Sequence, residues 1–307
     1  MRKFSIGVDI GGTKIAAGVV STYGEVLLKK TVATPKFSRV AILDLLQKLI
    51  EDLTDWAAKE GITLDKIGIG TAGQVDSHQG IILSGTANIK DWGNIHLKEV
   101  LSAYTELPVQ VDNDVNVLTL AEKMFGAAKG YREIVCLALG TGVGGGVITN
   151  GSLVRGTWGG AAELGHITLD MNGEMCNCGL KGCLETYASG TWIAKRMQML
   201  LEKEEGKPME PVSSREVFRL FHEGNDLAVQ VISTMIKGLS YGIVNLIHTF
   251  NPEVIVLGGG VMSDNQWIIY LVEREIRSIG LQSLVSGVKL KISSLDADSG
   301  IVGAAML

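Results

Sequence analysis

The chain has 307 residues, of which 46% are hydrophobic and 20% are charged, so it can bury a sizeable core and its composition argues against disorder. Its formal net charge of −5 argues against a broad surface for nucleic acid or for an anionic membrane. Asp9 interrupts the apolar core that a signal peptide needs. The uncharged stretch 134–154 is crowded with glycines, which argues against a membrane-spanning helix. We therefore expect a cytoplasmic protein without a membrane span.

The first half of the chain alternates predicted strands with predicted helices. Apolar residues at helical spacing predict a long amphipathic helix over 39–59, and a second helix is predicted over about 115–127. Buried strands are predicted at Phe4–Asp9, Ile15–Val20, Lys66–Gly70 and Pro108–Asp112. This alternation indicates an α/β fold.

The second half repeats part of this order. A strand at Ile134–Leu139, a glycine-rich turn and a strand at Gly146–Thr149 echo the strand, turn and strand around residue 10. The largely apolar stretch 226–249 predicts a helix at the centre of a second lobe or in a contact between copies of the chain. Further helices are predicted over 185–203, 214–223 and 264–279, with a strand at Glu253–Leu257.

Two glycine-rich turns follow predicted strands, DIGGTK at 9–14 and GTGVGGG at 140–146. Neither opens a helix or contains a Walker sequence, which argues against the dinucleotide and P-loop motifs. Glycines in such turns still expose backbone N–H groups that can bind anions. Each turn alone is equally compatible with an ordinary hairpin, but the two together favour a polyphosphate. Asp9 could hold hydrated Mg²⁺, and Thr13 and Thr141 offer hydroxyls.

A third glycine cluster, Gly258–Gly260, follows the apolar run VIVL and precedes a predicted helix. Glycine at this position would let a flat base approach the backbone closely. Alone the cluster is a weak signal, and such clusters are more often structural than functional.

The sequence VQVDNDVN, residues 109–116, ends a predicted strand and enters a helix. Ligands tend to bind at the carboxyl ends of strands in α/β sheets. Asp114 could there accept the proton of a substrate hydroxyl that attacks a phosphoryl group, and Asn113 could bind a neighbouring hydroxyl. Capping of the helix by Asn113 or Asp114 explains the same residues equally well.

Three of the four cysteines lie within eight residues, and with His166 they form the pattern H-x9-C-x-C-x4-C through Cys176, Cys178 and Cys183. Three thiolates and an imidazole complete a tetrahedral zinc shell without an open position, so we expect the metal to be structural. The spacings exclude a redox C-x-x-C pair, and free thiols or, less readily, disulfides are the alternatives. Cys136 lies in a predicted strand and is expected to be a small core residue.

Two glutamates flank this cluster, Glu163 three residues before His166 and Glu185 two residues after Cys183. A zinc loop would hold these acceptors rigidly, an arrangement that suits a polyhydroxylated ligand. His166 would bind zinc through one ring nitrogen and could donate to the ligand through the other. A solvated acidic face is the alternative for the glutamates.

Taken together, these motifs resemble the ROK family of sugar kinases and repressors, within the sugar-kinase and actin-like ATPase superfamily. The resemblance rests on GVDIGGTK, DNDVN, LGTGVGGG, AAELGH, CNCGLKGCLE and VIVLGGG, which span nearly the whole chain in family order. It implies a two-lobed, RNase H-like α/β fold with an interlobe active-site cleft. The implied lobes are residues 1–115, completed by a C-terminal helix at 297–307, and residues 116–296 with the zinc-binding loop.

The resemblance also implies transfer of the γ-phosphoryl group of ATP, with Mg²⁺, to the 6-hydroxyl of a hexose, beside a structural Zn²⁺. Asp114 is then the general base. The implied sugar-binding residues are Gly73, Asn113, Asp114, Glu163, His166 and Glu185, and the implied zinc ligands are His166, Cys176, Cys178 and Cys183. The implied nucleotide-binding residues are Asp9, Gly11, Gly12, Thr13, Lys14, Gly140, Thr141, Gly142, Gly144, Gly258, Gly259 and Gly260.

The sugar is less well specified. The family often has Pro-Gly in the loop after the third strand, where this chain has Ala72-Gly73. We expect glucose, with N-acetylmannosamine or N-acetylglucosamine as alternatives. A sugar-sensing repressor is disfavoured because Asp9 leaves no room for a helix-turn-helix module ahead of it, and a non-catalytic, zinc-stabilised binding protein is a third possibility. The apolar stretch 226–249 and the resemblance favour a homodimer.

Overall fold

The computed structural model describes residues 3–85, 88–207, 209–295 and 298–307. Its strands are β1 Phe4–Ile10, β2 Lys14–Ser21, β3 Val26–Ala33, β4 Leu64–Thr71, β5 Gln74–Asp76, β6 Ile81–Ser84, β7 Val109–Asn113, β8 Ile134–Leu139, β9 Val143–Thr149, β10 Ser152–Leu153, β11 Val254–Gly258 and β12 Lys289–Ile292. Its helices are α1 Arg39–Lys59, α2 Leu97–Ser102, α3 Asp114–Met124, α4 Glu185–Ala188, α5 Gly190–Glu205, α6 Ser214–His222, α7 Asp226–Phe250, α8 Gly260–Asp264, α9 Ile268–Ile276, α10 Gln282–Val285 and α11 Ser299–Ala305, with a 3-10 turn at Leu164–His166.

Two five-stranded sheets share one strand order. The first sheet has the order β3-β2-β1-β4-β7, and the second has the order β10-β9-β8-β11-β12. In the first sheet β1 is antiparallel to β2 and parallel to β4, and in the second β8 and β11 are likewise parallel. The α/β class is confirmed, and the echo in the sequence corresponds to a repeated strand order.

Helix α1 shows how the sequence builds the core of the first sheet. Its N-cap Ser38 accepts a hydrogen bond from the backbone N–H of Ala41, which satisfies one donor of the first turn. The predicted bounds 39–59 are the observed ones. Its buried face packs into one hydrophobic cluster with residues of β1, β4 and β7, through Ile42, Leu46, Leu49, Ile50 and Leu53.

The chain divides into two compact units, residues 1–130, 146–162 and 294–307 in the first, and residues 131–145 and 163–293 in the second. In the first unit α11 lies so close to β1 and β4 that a Cβ atom at Gly7 or Gly68 would come within 1.8 or 1.7 Å of a carbonyl oxygen of α11. The grouping differs from the predicted boundary at 115/116 because α3 packs against α11. Residues 296 and 297, where the predicted lobe boundary falls, lie outside the described residues.

Several element bounds differ from the predicted ones. The predicted helix 185–203 is two helices, because Ser189 is extended (φ −80°, ψ 152°) and caps α5 by accepting from the N–H of Trp192. The helix predicted over 264–279 is the shorter α9, Ile268–Ile276, and residues 265–267 separate it from α8. Helix α3 ends at Met124, and β9 begins at Val143 because its glycines extend the strand.

Helix α7 packs against α4, α5, α6 and α9 in the second unit, which agrees with a central position in that unit. Within the described ranges it is the one helix whose length and composition would allow it to cross a membrane. The most apolar part of the helix has a mean hydropathy of 1.4, and 56% of it is buried.

Candidate active site

In the first unit, the two strands on either side of β4 carry acidic residues at their carboxyl ends. Asp9 of β1 pairs with Gly70 of β4, which in turn pairs with Asp112 of β7. Because adjacent strands are about 4.8 Å apart, Asp9 and Asp112 lie at one edge of the same sheet, roughly 10 Å from each other. This is the edge at which α/β sheets bind ligands.

Asn113 and Asp114 form the junction between β7 and α3. Asn113 Oδ1 accepts from the N–H groups of Val115 (2.8 Å) and Asn116 (3.3 Å), so Asn113 is the N-cap of α3. Its Nδ2 donates to the carbonyl oxygen of Gly73 at 2.9 Å, and a substrate hydroxyl could therefore reach only the second N–H of Nδ2. Asp114 is half-buried at the first position of α3, where a carboxylate is favoured by the helix N-terminus.

The loop that carries Ala72 in place of a proline is fixed at Gly73. Gly73 has φ +108°, and a Cβ atom there would lie 2.3 Å from the carbonyl oxygen of Ser84. Both the dihedral angle and the close contact require glycine. With the bond from Asn113, they hold this loop against the start of α3.

Asp112, the residue before this junction, forms an ion pair with Arg155. The sequence did not predict this pair. Asp112 is 1% exposed, and its Oδ2 accepts from Arg155 Nε at 2.8 Å. Its Oδ1 accepts from the backbone N–H of Asn113 and from Asn116 Nδ2, both at 2.8 Å. The pair thus positions the segment that carries Asp114. No sequence signal pointed to Arg155, which is 43 residues from its partner.

The first glycine turn is held by its own sheet. The N–H of Gly11 donates to the carbonyl oxygen of Lys14 at 3.0 Å. Thr34, which follows β3, donates from Oγ1 to the carbonyl oxygen of Gly11 at 2.7 Å and from its N–H to that of Thr13 at 3.1 Å. Burial raises the pKa of the Asp9 carboxyl above its usual range, against the opposing charge of Lys14. A cation beside Asp9 would favour the ionised carboxylate.

The second glycine turn is held by a segment outside its own strand pair. The N–H of Gly140 donates to the carbonyl oxygen of Gly142 at 2.9 Å within the turn. The carbonyl oxygen of Gly140 accepts from the N–H of Gly190 at 2.8 Å, and the N–H of Val143 donates to Glu185 Oε2 at 3.0 Å. Glu185 and Gly190 are the first residues of α4 and α5.

The third glycine cluster lies next to the second turn. Gly259 has φ +82°, and a Cβ atom there would lie 2.4 Å from the carbonyl oxygen of Leu139, the last residue of β8. This close approach requires glycine and brings Gly258–Gly260 against the residue that precedes Gly140. Two of the predicted nucleotide-binding stretches therefore lie together in the second unit.

The four predicted zinc ligands also lie together. Their ligand atoms are all within 4.8 Å of one another. Cys178 Sγ is 3.6 Å from Cys183 Sγ, and Cys176 Sγ is 3.5 Å from His166 Nδ1. A tetrahedral zinc ion with Zn–S distances of about 2.3 Å separates its sulfur ligands by roughly 3.8 Å, so both the spacing and the donor set fit zinc.

The environment of the thiols fits a metal that supplies positive charge. Cys176 and Cys183 are buried, whereas Cys178 is exposed. Burial raises the pKa of Cys176 and raises that of Cys183 to about 12, so burial opposes ionisation of both thiols. A bound zinc ion deprotonates the thiols that coordinate it. Cys136 is a buried core residue of β8, as expected.

The two glutamates differ in their surroundings. Glu163 is exposed and precedes the 3-10 turn, and its carbonyl oxygen accepts from the N–H of His166 at 3.0 Å. Glu185 is half-buried, with Oε2 engaged by Val143 and Oε1 lying 3.8 Å from Cys176 Sγ. Glu163 is therefore an open acceptor, whereas Glu185 is already part of a hydrogen-bonded structure.

The predicted site residues fall into two groups, one in each unit. The first unit holds Asp9, Gly11, Gly12, Thr13, Lys14, Gly73, Asn113 and Asp114. The second unit holds Gly140, Thr141, Gly142, Gly144, Glu163, His166, Cys176, Cys178, Cys183, Glu185, Gly258, Gly259 and Gly260. Thr34, Asp112 and Arg155 join the first group without having been predicted.

The ROK family model matches residues 5–307. The chain belongs to the ROK family. A glucokinase from Thermotoga maritima is 34% identical over 98% of this chain and 96% of its own. A ROK hexokinase from Thermus thermophilus has a similar structure, with a TM-score of 0.86 at 34% identity over 99% of this chain and 97% of its own. A ROK family glucokinase from Streptomyces griseus, solved with glucose and AMPPNP, has a TM-score of 0.79 at 32% identity over 99% and 98%.

These similarities confirm the family and its sugar-kinase fold. ROK relatives also include proteins that are not named as kinases. A xylose repressor from Bacillus spizizenii is 29% identical over 98% of this chain, and the match covers 75% of the repressor.

Proposed function

We propose that this ROK protein is an ATP-dependent hexose kinase that transfers the γ-phosphoryl group of ATP to the 6-hydroxyl of a hexose, with glucose as the preferred acceptor. The observation that carries the proposal is the match, over nearly the full length of both chains, to a ROK glucokinase whose structure holds glucose and AMPPNP. Glucokinase relatives of similar identity from other bacteria support the same activity.

In the proposed reaction, the oxygen of the sugar 6-hydroxyl bonds to the γ-phosphorus while the bond to the β–γ bridging oxygen breaks, and ADP leaves. Asp114 receives the proton of the hydroxyl. Its position beside the cap residue Asn113, in a segment that Asp112 and Arg155 brace, supports this role because such transfers depend mainly on positioning and charge stabilisation.

The sugar hydroxyls are proposed to bind Asn113, Glu163, His166 and Glu185, beside the backbone of Gly73. Asn113 offers the second N–H of its amide, and Glu163 offers an exposed carboxylate. His166 directs Nδ1 toward Cys176, which makes Nε2 the nitrogen that a sugar would meet.

The nucleotide is proposed to bind backbone N–H groups of the turns at 11–14 and 140–144, with adenosine beside Gly258–Gly260. The N–H groups of Gly11, Gly140 and Val143 already donate within the protein and are not counted among them. When bound, Mg²⁺ neutralises charge on the β- and γ-phosphates. Asp9 is proposed to hold its hydration shell. Structural zinc is proposed to be bound by His166, Cys176, Cys178 and Cys183, where it orders the loop that precedes Glu185.

A coupled assay of ADP release tests the kinase proposal. Glucose, mannose, N-acetylmannosamine and N-acetylglucosamine are compared at saturating MgATP, and we expect the highest kcat/KM for glucose. A higher kcat/KM for an N-acetylated sugar would transfer the preference to that sugar and leave the kinase activity intact. No ADP release with any hexose would contradict the proposal.

A sugar-responsive repressor is the second candidate, because the xylose repressor aligns with almost all of this chain. A gel-shift assay on the DNA that flanks the gene, with and without hexoses, separates the two candidates. DNA binding without hexose-dependent ADP release would favour the repressor.

We further propose that the protein is cytoplasmic and forms a homodimer. The apolar helix α7 supports the second statement, since it carries the exposed side chains Val229 and Tyr241 as well as its buried face. Size-exclusion chromatography with light scattering measures the oligomeric state directly, and a monomer at micromolar concentration would contradict the dimer.

A further inference from the structure

We propose that the segment Glu185–Gly190, which we name the clamp segment, positions the second glycine turn for nucleotide binding and couples that turn to the cysteine cluster. The inference rests on the proposed function, because it takes the turn at 140–144 as a phosphate-binding element. It gives Glu185 a role beyond the sugar contact that the family resemblance implies.

The clamp segment bonds both ends of the turn. At one end the N–H of Gly190 donates to the carbonyl oxygen of Gly140 at 2.8 Å. At the other end Glu185 Oε2 accepts from the N–H of Val143 at 3.0 Å. A shift of the clamp segment would therefore move the turn, including the N–H groups that are proposed to bind phosphate.

Close packing leaves the turn little room to move independently. A Cβ atom at Gly142 would lie 2.5 Å from Glu185 Oε2. A Cβ atom at Gly165 would lie 2.0 Å from the carbonyl oxygen of Val143. The turn is thus in contact with the clamp segment and with the 3-10 turn that carries His166.

The clamp segment is also joined to the cysteine cluster. It begins two residues after Cys183, and Glu185 Oε1 lies 3.8 Å from Cys176 Sγ. The N–H of Leu184 donates to the carbonyl oxygen of Ile167 at 2.9 Å, next to His166. Zinc held by His166 and Cys183 would fix the backbone on both sides of the Leu184–Ile167 bond, so a filled zinc site would order Glu185 and, through it, the nucleotide turn.

Equilibrium binding of MgAMPPNP without sugar isolates this role, because no phosphoryl transfer takes place. Glu185→Ala removes the acceptor of the Val143 N–H, and we expect AMPPNP binding to weaken at least about tenfold, as for the loss of a hydrogen bond to a charged group. Glu185→Gln retains an uncharged acceptor and should give an intermediate affinity. Glu163→Ala is the matched control, expected to weaken glucose binding while AMPPNP affinity stays unchanged.

Removal of zinc by a chelator tests the coupling. In the wild-type protein it should weaken AMPPNP binding by a factor similar to that of Glu185→Ala. In Glu185→Ala it should add little, because the connection is already broken. Circular dichroism and thermal unfolding establish that each sample is folded. If Glu185→Ala does not fold, Glu185→Gln provides the measurement.

The outcomes separate this inference from the proposed function. An unchanged AMPPNP affinity in Glu185→Ala, with glucose affinity reduced, overturns the clamp and leaves the kinase activity standing. If zinc removal weakens AMPPNP binding by the same factor in the wild type and in Glu185→Ala, the coupling is overturned. A wild-type protein that binds no AMPPNP overturns the proposed function and this inference with it.

Discussion

The two glycine turns occupy equivalent positions in two sheets of the same strand order, yet different groups hold them. One turn joins β1 to β2, and the other joins β8 to β9. The first receives two hydrogen bonds from Thr34, at the end of β3 in its own sheet. The second accepts a hydrogen bond from the N–H of Gly190 and donates one to the carboxylate of Glu185, and neither residue belongs to a sheet.

This difference shows that a repeated strand order does not determine how its loops are stabilised. The first turn shares the stability of a β ladder, because Thr34 directly follows a paired strand. The second turn is bonded to Glu185 and Gly190, in a segment that begins two residues after Cys183. We therefore expect the two turns to respond differently when the metal is removed, although both are proposed to bind the same nucleotide.

The largest effect is expected from a change that touches neither turn. Asp114→Asn keeps the shape of the side chain but removes its ability to accept a proton, so kcat should fall by about 10²–10⁴-fold. The affinities for AMPPNP and glucose should stay near those of the wild type in equilibrium binding. A variant with near-normal kcat would show that Asp114 is not the general base.

The ion pair behind the first group of site residues gives the next largest effect. Arg155→Ala leaves the Asp112 carboxylate buried without its partner, and the free energy of unfolding should fall by about 2–3 kcal/mol. The loss is limited because the Arg155 side chain is 33% exposed and water can enter. Urea unfolding measures the loss, and kcat should fall with it because the segment of Asp114 shifts.

Arg155→Lys is the matched control for this pair. It restores the charge without the Nε donor, so its loss of stability should be smaller than that of Arg155→Ala. Equal stability of Arg155→Ala and the wild type would contradict a positioning role.

A smaller change probes the first turn alone. Thr34→Val removes the donor to the carbonyl oxygen of Gly11, at a cost of about 0.5–1.5 kcal/mol in unfolding free energy. The KM for ATP should rise by a few-fold, on the order of what such a bond contributes. This rise should be the same with and without zinc, unlike that of Glu185→Ala. A rise that disappears on zinc removal would show that the two turns are not independent.

Asp9 gives the smallest expected effect and one that depends on pH. Because the pKa of Asp9 is raised in the folded protein, its ionised form opposes folding at neutral pH, and this cost disappears as the pH falls below the ordinary value of 3.8. Asp9→Asn should therefore stabilise the ligand-free protein at pH 7, with a gain that shrinks in acid. Thermal unfolding over a pH series measures the gain.

The same series with MgATP gives the control for Asp9. If Asp9 holds hydrated Mg²⁺, saturating MgATP should stabilise the wild type more than Asp9→Asn. An equal increase in unfolding temperature for both proteins would show that Asp9 does not hold the Mg²⁺.

Features with a local signal were predictable from the sequence. Helix α1 carries an uninterrupted apolar face and a serine cap, and its bounds 39–59 were predicted correctly. The four ligand residues of the cysteine cluster lie close in sequence, and the structure brings them together. The prediction missed β3, an edge strand in which the adjacent Lys29 and Lys30 interrupt the apolar pattern.

The contacts that organise the site were not predictable in this way. Asp112 meets Arg155 across 43 residues, and Val143 meets Glu185 across 42 residues. Such pairs arise from strand pairing and helix packing, which no local pattern encodes. The capping role of Asn113 was one of two interpretations, and the structure shows that its amide performs it.

Hydrogen–deuterium exchange at the two turns, with and without zinc, tests the dependence of the second turn on the cysteine cluster most directly. Chelation should speed the exchange of the amide N–H of Val143 and of Gly190, while that of Gly11 and of Thr34 stays slow. Unchanged exchange at Val143 in the zinc-free protein, or an equal increase at Gly11, would contradict the coupling.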